Sequence, residues 1–126
     1  MGSNRRMDHM TWPEFKEVKT HPVIVPIGST EQHGQHLPIG TDAVLATRVA
    51  EDLAERIDGT VLPTLSYGYK SKPLSGGGPL FPGTIDMNGV TVITQMHDVL
   101  SELIADGFTK ICLLYTSPSP RDPKTS

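Results

Sequence analysis

Glu31 and His33 stand two positions apart within Gly28–Asp42, GSTEQHGQHLPIGTD, and Asp42 closes that stretch. In an extended segment, residues two apart leave the backbone on the same side, so one carboxylate and one imidazole converge. A loop between Gly34 and Thr41 would fold Asp42 back beside them. Carboxylate and imidazole with no thiolate is the donor set of zinc, manganese or iron rather than of a Cys-rich structural zinc site. The chemistry such a cluster could support is metal-assisted hydrolysis. Plainer readings share the same residues: an Asp ahead of a helical run is often an N-cap, and a Glu-x-His arises by chance in many chains. Spacing alone leaves these alternatives open.

The elements around the stretch must position it. Pro22–Ile27, PVIVPI, is apolar on both faces, as a buried parallel strand requires, and delivers the chain to Gly28. From Asp42 to Ile57 the residues Leu45, Val49, Leu53 and Ile57 recur every four positions between Arg48, Glu51, Asp52 and Glu55. This pattern predicts an amphipathic helix, closed by Asp58-Gly59. Thr60–Leu65 reads as a second strand. Gly89–Asp106 places Val92, Met96, Val99 and Leu103 on one face, with Ile93, Leu100 and Ile104 beside it, and stops at Gly107. A third strand begins at Thr109. Ahead of all this, Thr11 and Glu14 form a capping-box pattern for a short helix over Trp12–Val18.

Strand, helix, strand, helix, strand implies an α/β fold of three layers, a mostly parallel sheet flanked by helices. Ligands of such sheets collect beyond the carboxyl ends of the strands. The loop after the first strand emerges there, and so does the segment Ser66–Asn88, SYGYKSKPLSGGGPLFPGTIDMN, which is too rich in Gly and Pro to be regular. Its Gly76-Gly77-Gly78 would let backbone approach a small ligand closely. A phosphate cradle competes with that reading, but GxxxxGK[ST] is absent and no glycine fingerprint runs from strand directly into helix. A flexible surface turn is the plain alternative.

Composition narrows the classes. The 126 residues suit one domain, and 37% hydrophobic with 20% charged residues is a soluble globular balance. A net charge of −3 gives no footprint for nucleic acid or an anionic membrane. No long apolar run and no apolar signal core is present, so the expected location is cytoplasmic. The single cysteine, Cys112, excludes an internal disulfide.

The motif S-T-E-Q-H-G-x-H-L-P-x-G-T-D, over Ser29–Asp42, resembles the signature of the creatininase (creatinine amidohydrolase) family. YGYKS, SGGG and FPGT, in that order, resemble the creatinine-hydrolysing branch more than the family at large. The resemblance covers about Met10–Ile111, the N-terminal part of that family's fold. It implies a small-molecule substrate, opening of the cyclic amide of creatinine to creatine, and two divalent metals per complete subunit, zinc or manganese. It assigns Glu31 to one metal, His33 to the other and Asp42 as the bridging carboxylate at the catalytic centre. Ser75, Gly76 and Gly77 fall in the substrate pocket. It also implies a homo-oligomer for the full-length protein. His36, within the motif, and His9, His21 and His97 are expected to be structural or solvent-facing. Related hydrolases on the same signature act on formamidopyrimidine intermediates or on a peptide precursor, and a metal- or ligand-binding domain without turnover is the alternative of another class.

Where the family continues into an N-G-H motif with a further metal-binding His, this chain reads CLLYTSPSPRDPKTS. That run resembles one translated frame of a sequencing adaptor. The expected organisation is therefore a disordered start over 1–9, the N-terminal part of an amidohydrolase domain over 10–111, and a non-native tail over 112–126.

Overall fold

The computed structural model describes residues 4–69 and 82–115. Its central sheet has three parallel strands in the order β2-β1-β5, with β1 at Val23–Ile27, β2 at Thr60–Val61 and β5 at Ile111–Tyr115. Helix α1 spans Trp12–Glu17, α2 Thr41–Ile57 and α3 Gly89–Asp106. A second, two-stranded parallel pair joins β3, Gly68–Tyr69, to β4, Asp86–Met87. The parallel α/β architecture expected from the element order is present, and both short β3 and β4 lie in the segment that sequence alone left irregular.

Strand β1 is apolar throughout because both its faces are covered. Val23 and Val25 point into one cluster with Leu62, Leu103 and Phe108, against which Phe15 packs; the Phe15 and Phe108 ring centroids lie 5.2 Å apart. Ile24 points into the other with Ala50, Ala54 and Val61. One face of the sheet thus meets α2, and the other meets α3 through Leu103 and α1 through Phe15.

The face of α2 that meets the sheet is not the stripe of large residues that the sequence suggested. Ala46, Ala50 and Ala54 are fully buried, together with Asp42 one turn earlier, whereas Leu45 and Val49 are about half exposed. Only Leu53 of the expected stripe packs against the Ile24 cluster. Small residues let a helix sit close on a sheet, and the alanine line at positions four apart supplies that contact. On α3 the expected face holds, with Leu103 buried and Val99 packed beside the core, while Ile93 and Ile104 face outward.

The second strand is shorter than the apolar run Thr60–Leu65. Leu62 N–H donates to the Ile24 carbonyl at 2.9 Å, but pairing lapses until Leu65 N–H reaches the Pro26 carbonyl and Gly28 N–H the Leu65 carbonyl, each at 2.9 Å. Pro26 has no N–H to offer toward β2, so the ladder breaks there. It resumes at a single bridge, Ile27 with Leu65.

The described start of the chain runs along the sheet edge. Residues 4–9 are ordered against β2: Val61 N–H donates to the Arg5 carbonyl at 2.8 Å, and Met7–His9 forms a 3-10 turn. Arg5 Nη1 donates to Asp58 Oδ1 at 2.9 Å, and Arg6 pairs with Asp8 at 2.9 Å. Arg5 thus ties the segment to the end of α2, and Arg6 Nη1 also lies 3.8 Å from Glu51 of that helix. Helix α1 begins as expected, with Thr11 N–H donating to Glu14 Oε1 at 2.8 Å. Helix α2 ends at Asp58, in the left-handed conformation with φ 58°, and α3 at Gly107, φ 105°. Cys112 is half-buried in β5, opposite Ile24.

Candidate metal centre

The loop Gly28–Gly40 leaves the carboxyl end of β1 and returns to the start of α2. Gly28 is what lets the two ends touch: a Cβ there would lie 2.6 Å from the Asp42 carbonyl carbon and 2.7 Å from Ala43 Cα. Glu31 N–H donates to the Ile39 carbonyl at 3.2 Å, closing the loop on itself, and His33 bridges to Leu37. Thr30 Oγ1 donates to the Ser66 carbonyl at 2.7 Å, tying the loop to the chain beyond β2. On its other side, Gln32 N–H donates to Thr84 Oγ1 and Ile85 N–H to the Thr30 carbonyl, each at 3.0 Å.

These ties bring Glu31, His33 and Asp42 together. One donor atom from each lies within 4.8 Å of the others. Glu31 and Asp42 are each 5% exposed, and His33 is partly buried. Asp42 is not the N-cap: Gly40 holds that position, and Asp42 sits in the first turn of α2, where the helix dipole favours negative charge.

The imidazole of His33 is oriented by both its nitrogens. Nδ1 lies 3.0 Å from the Glu31 carbonyl oxygen, and Nε2 lies 3.2 Å from Asp42 Oδ1. A carbonyl can only accept, so in the neutral ring Nδ1 carries the proton and Nε2 turns its lone pair toward the carboxylate. Two acceptors facing at this distance attract only through a shared cation. A proton on Nε2 or a metal ion can fill that place. Burial by itself lowers the His33 pKa, but the Glu31 carbonyl and the Asp42 and Glu31 charges outweigh it, and the pKa lies above the ordinary histidine value.

The same arrangement fits a divalent metal. Imidazole and carboxylate are donors for zinc and manganese, two buried carboxylates supply the compensating charge, and a ring N–H held by a backbone carbonyl is the usual way a metal-binding His is oriented. Among the described residues, this is the one cluster of three or more such side chains that converges.

The other sequence candidates fall elsewhere. His36 is exposed and outside the cluster. His21 pairs with Asp58 at 3.1 Å, His9 with Asn4 at 2.7 Å, and His97 is exposed beside Asp98. Ser75, Gly76 and Gly77 lie outside the described residues, as does the tail beyond Tyr115. Sequence reading passed over Gly28 and Thr84 as parts of the centre. The FPGT motif that contains Thr84 was visible, but nothing in it pointed to the loop 52 residues earlier.

The family model described as creatininase, creatinine amidohydrolase, matches residues 8–116. The creatinine amidohydrolase of Pseudomonas putida is 38% identical over 108 residues, covering 83% of this chain and 42% of that protein. The 3-dehydro-scyllo-inosose hydrolase of Thermotoga maritima is 36% identical over 92 residues, 73% of this chain and 28% of that protein. A mycofactocin precursor peptide peptidase of Mycolicibacterium smegmatis is 42% identical over 71 residues, 52% of this chain and 27% of that protein. The chain thus spans less than half the length of these relatives. A crystal structure of creatininase superposes with a TM-score of 0.82 at 36% identity, over 89% of this chain and 44% of that one. Substituted creatininase of the Zn-Zn type and the Mn form superpose at 0.79 and 0.80, with 35% and 36% identity, over 89% and 88% of this chain and 45% and 44% of theirs. With its parallel sheet, its site loop and a family match over most of its length, the chain belongs to the creatininase family of hydrolases.

Proposed function

We propose that these residues are the N-terminal part of a metal-dependent amidohydrolase site whose substrate is creatinine. The observation that carries the reading is the convergence of Glu31, His33 and Asp42, buried, at the carboxyl end of β1. That is where open α/β sheets gather their ligands. The 38% identity to a creatinine amidohydrolase supports the substrate.

Glu31, His33 and Asp42 would hold the cations, zinc or manganese, with Asp42 in the bridging role. Bound divalent metal supplies Lewis acidity toward an amide carbonyl and a low-pKa water at neutral pH. The chain's own residues supply the setting. His33 is held in one tautomer by the Glu31 carbonyl, so its Nε2 lone pair is ready for a cation without reorganisation. Asp42 is fixed by the first turn of α2 and by Gly28 beneath it. In the overall reaction one water is consumed: its oxygen joins the ring carbonyl carbon, the ring amide C–N bond breaks, and the leaving nitrogen takes a proton. Three protein donors do not saturate two metals, each of which needs about four counting water. Further donors, from protein or water, would complete each coordination sphere.

A second reading keeps the site and changes the substrate. Matches to an inosose hydrolase and to a peptide-precursor peptidase favour it. In either reading Ser75, Gly76 and Gly77 are proposed to face the substrate. Val44, Leu45 and Val49 of α2, on one side of the sheet, and Val90 and Ile93 of α3, on the other, are exposed apolar residues that a further part of the protein or a second copy would cover.

The test is an assay of creatinine and creatine interconversion by the gene product read independently across Ile111, beside the 126-residue chain. The reading expects metal-dependent turnover by the longer product and none by the 126-residue chain. Turnover of a linear peptide and not of creatinine would move the function to the second reading.

A further inference from the structure

The turn Pro82–Ile85 reaches the site loop from a distant part of the chain, and its contacts fall on the residues that flank the metal donors. Thr84 Oγ1 accepts from the N–H of Gln32, the residue between Glu31 and His33, at 3.0 Å. One residue on, Ile85 N–H donates to the carbonyl of Thr30, the residue before Glu31, also at 3.0 Å. Gly83 lies against Ile39: its φ is 94°, and a Cβ there would come 2.5 Å from Ile39 Cδ1. The Ile39 carbonyl in turn receives Glu31 N–H at 3.2 Å. The turn therefore grips the backbone on both sides of Glu31 and packs on the residue that closes the loop.

We infer that Thr84 is a positioning residue for the Glu31–His33 pair. It fixes the Gln32 amide and thereby the separation of carboxylate and imidazole. This rests on the reading of Glu31, His33 and Asp42 as metal donors, which Thr84 itself does not touch. The reasoning is geometric. Glu31 and His33 face the same way only while the backbone between them stays extended, and the intervening Gln32 N–H has its partner in Thr84. Without the hydroxyl, the Gln32 N–H loses this partner, although Gln32 Oε1 still accepts from Gly34 N–H, and the common direction of the two donor side chains is loosened.

The experiment compares Thr84→Val, which keeps the shape and removes the acceptor, with Thr84→Ser, which restores it, and Asp42→Asn as the control on the metal reading. The 126-residue chain is labelled for NMR and titrated with zinc. Amide exchange at Gln32 and Glu31, zinc affinity and metal-free melting temperature are measured for each. The expected result is faster Gln32 exchange in Thr84→Val. Its zinc dissociation constant should rise about fivefold, the loss from one hydrogen bond of ordinary net strength, and Thr84→Ser should recover both. Unchanged Gln32 exchange, or faster exchange with zinc affinity intact, overturns the inference. So does a loss of affinity that Thr84→Ser fails to restore, or one matched by a general fall in melting temperature. If Asp42→Asn binds zinc as the parent does, the metal reading fails and the positioning role falls with it. The Gln32 exchange rate then still reports whether the clamp exists.

Discussion

Gly28 lies directly beneath the backbone of Asp42, so close that a single added carbon would meet the Asp42 carbonyl carbon at 2.6 Å. The end of the central strand and the first turn of α2 are thereby in backbone contact, and the carboxylate is placed by main chain rather than by side-chain packing. Gly28→Ala should force the two apart. We expect a loss of about 1–3 kcal/mol in denaturant unfolding, the usual cost of overpacking, with weaker zinc binding. An alanine variant as stable as the parent would show that the contact is not close in solution.

Asp42 and His36 both sit in the family motif, yet only Asp42 is buried in the cluster. Asp42→Asn keeps the size of the side chain and removes the charge. Zinc affinity should fall by at least about tenfold, the scale on which even outer-shell changes act, whereas His36→Ala should leave it within about twofold. Both are to be measured by equilibrium dialysis on variants shown to be folded by circular dichroism. Equal losses would remove Asp42 from its proposed role.

The two faces of α2 can be tested against each other. Ala50 is fully buried against Ile24, and Val49 is 47% exposed. Ala50→Leu should cost about 1–3 kcal/mol, while Val49→Gln should change stability by no more than about 0.5 kcal/mol. The opposite ranking in urea unfolding would restore the large-residue stripe as the packed face.

That helix also shows how far the sequence could be read. The parallel sheet and the extent of α3 were legible because apolar runs and a C-terminal glycine each have one simple geometric consequence; the two-residue spacing pointed to Glu31 with His33, whereas the return of Asp42 rested on a supposed loop and on the family motif. The packed face of α2 was not legible, because periodicity weights large residues while close helix–sheet contact selects small ones. The length of β2 depended on the missing N–H of Pro26, which lies on the partner strand and leaves no mark in Thr60–Leu65 itself. The order of residues 4–9 depended on Asp58 and Val61, more than fifty positions away. Thr84 belongs to the same class: its partner Gln32 is local in space and remote in sequence.

Acid should loosen the start of the chain. Asp58 is held below the usual carboxylate range chiefly by the hydrogen bond from Arg5, against some opposing desolvation, with further help from the charges of His21 and Arg5. A carboxylate depressed in the folded state contributes stability above its ordinary value of 3.8 and loses it as pH falls through the lower folded value. Asp58→Asn, which tolerates the left-handed conformation, should therefore show a shallower loss of stability from about pH 5 to about pH 3 than the parent. Because Asp58 is largely exposed, the difference should be small and screened by salt. A parallel pH profile for the two chains would show that the Arg5 contact contributes nothing.

The account stands on His33 turning Nε2 toward the two carboxylates while Nδ1–H stays with the Glu31 carbonyl. The direct measurement is a zinc titration of the metal-free chain followed by the ring nitrogen resonances of all five histidines. We predict that His33 Nε2 shifts to a metal-bound position, that its Nδ1–H persists, and that His9, His21, His36 and His97 keep their metal-free spectra. Zinc-dependent shifts at His36 or at the exposed histidines, with His33 unmoved, would contradict it.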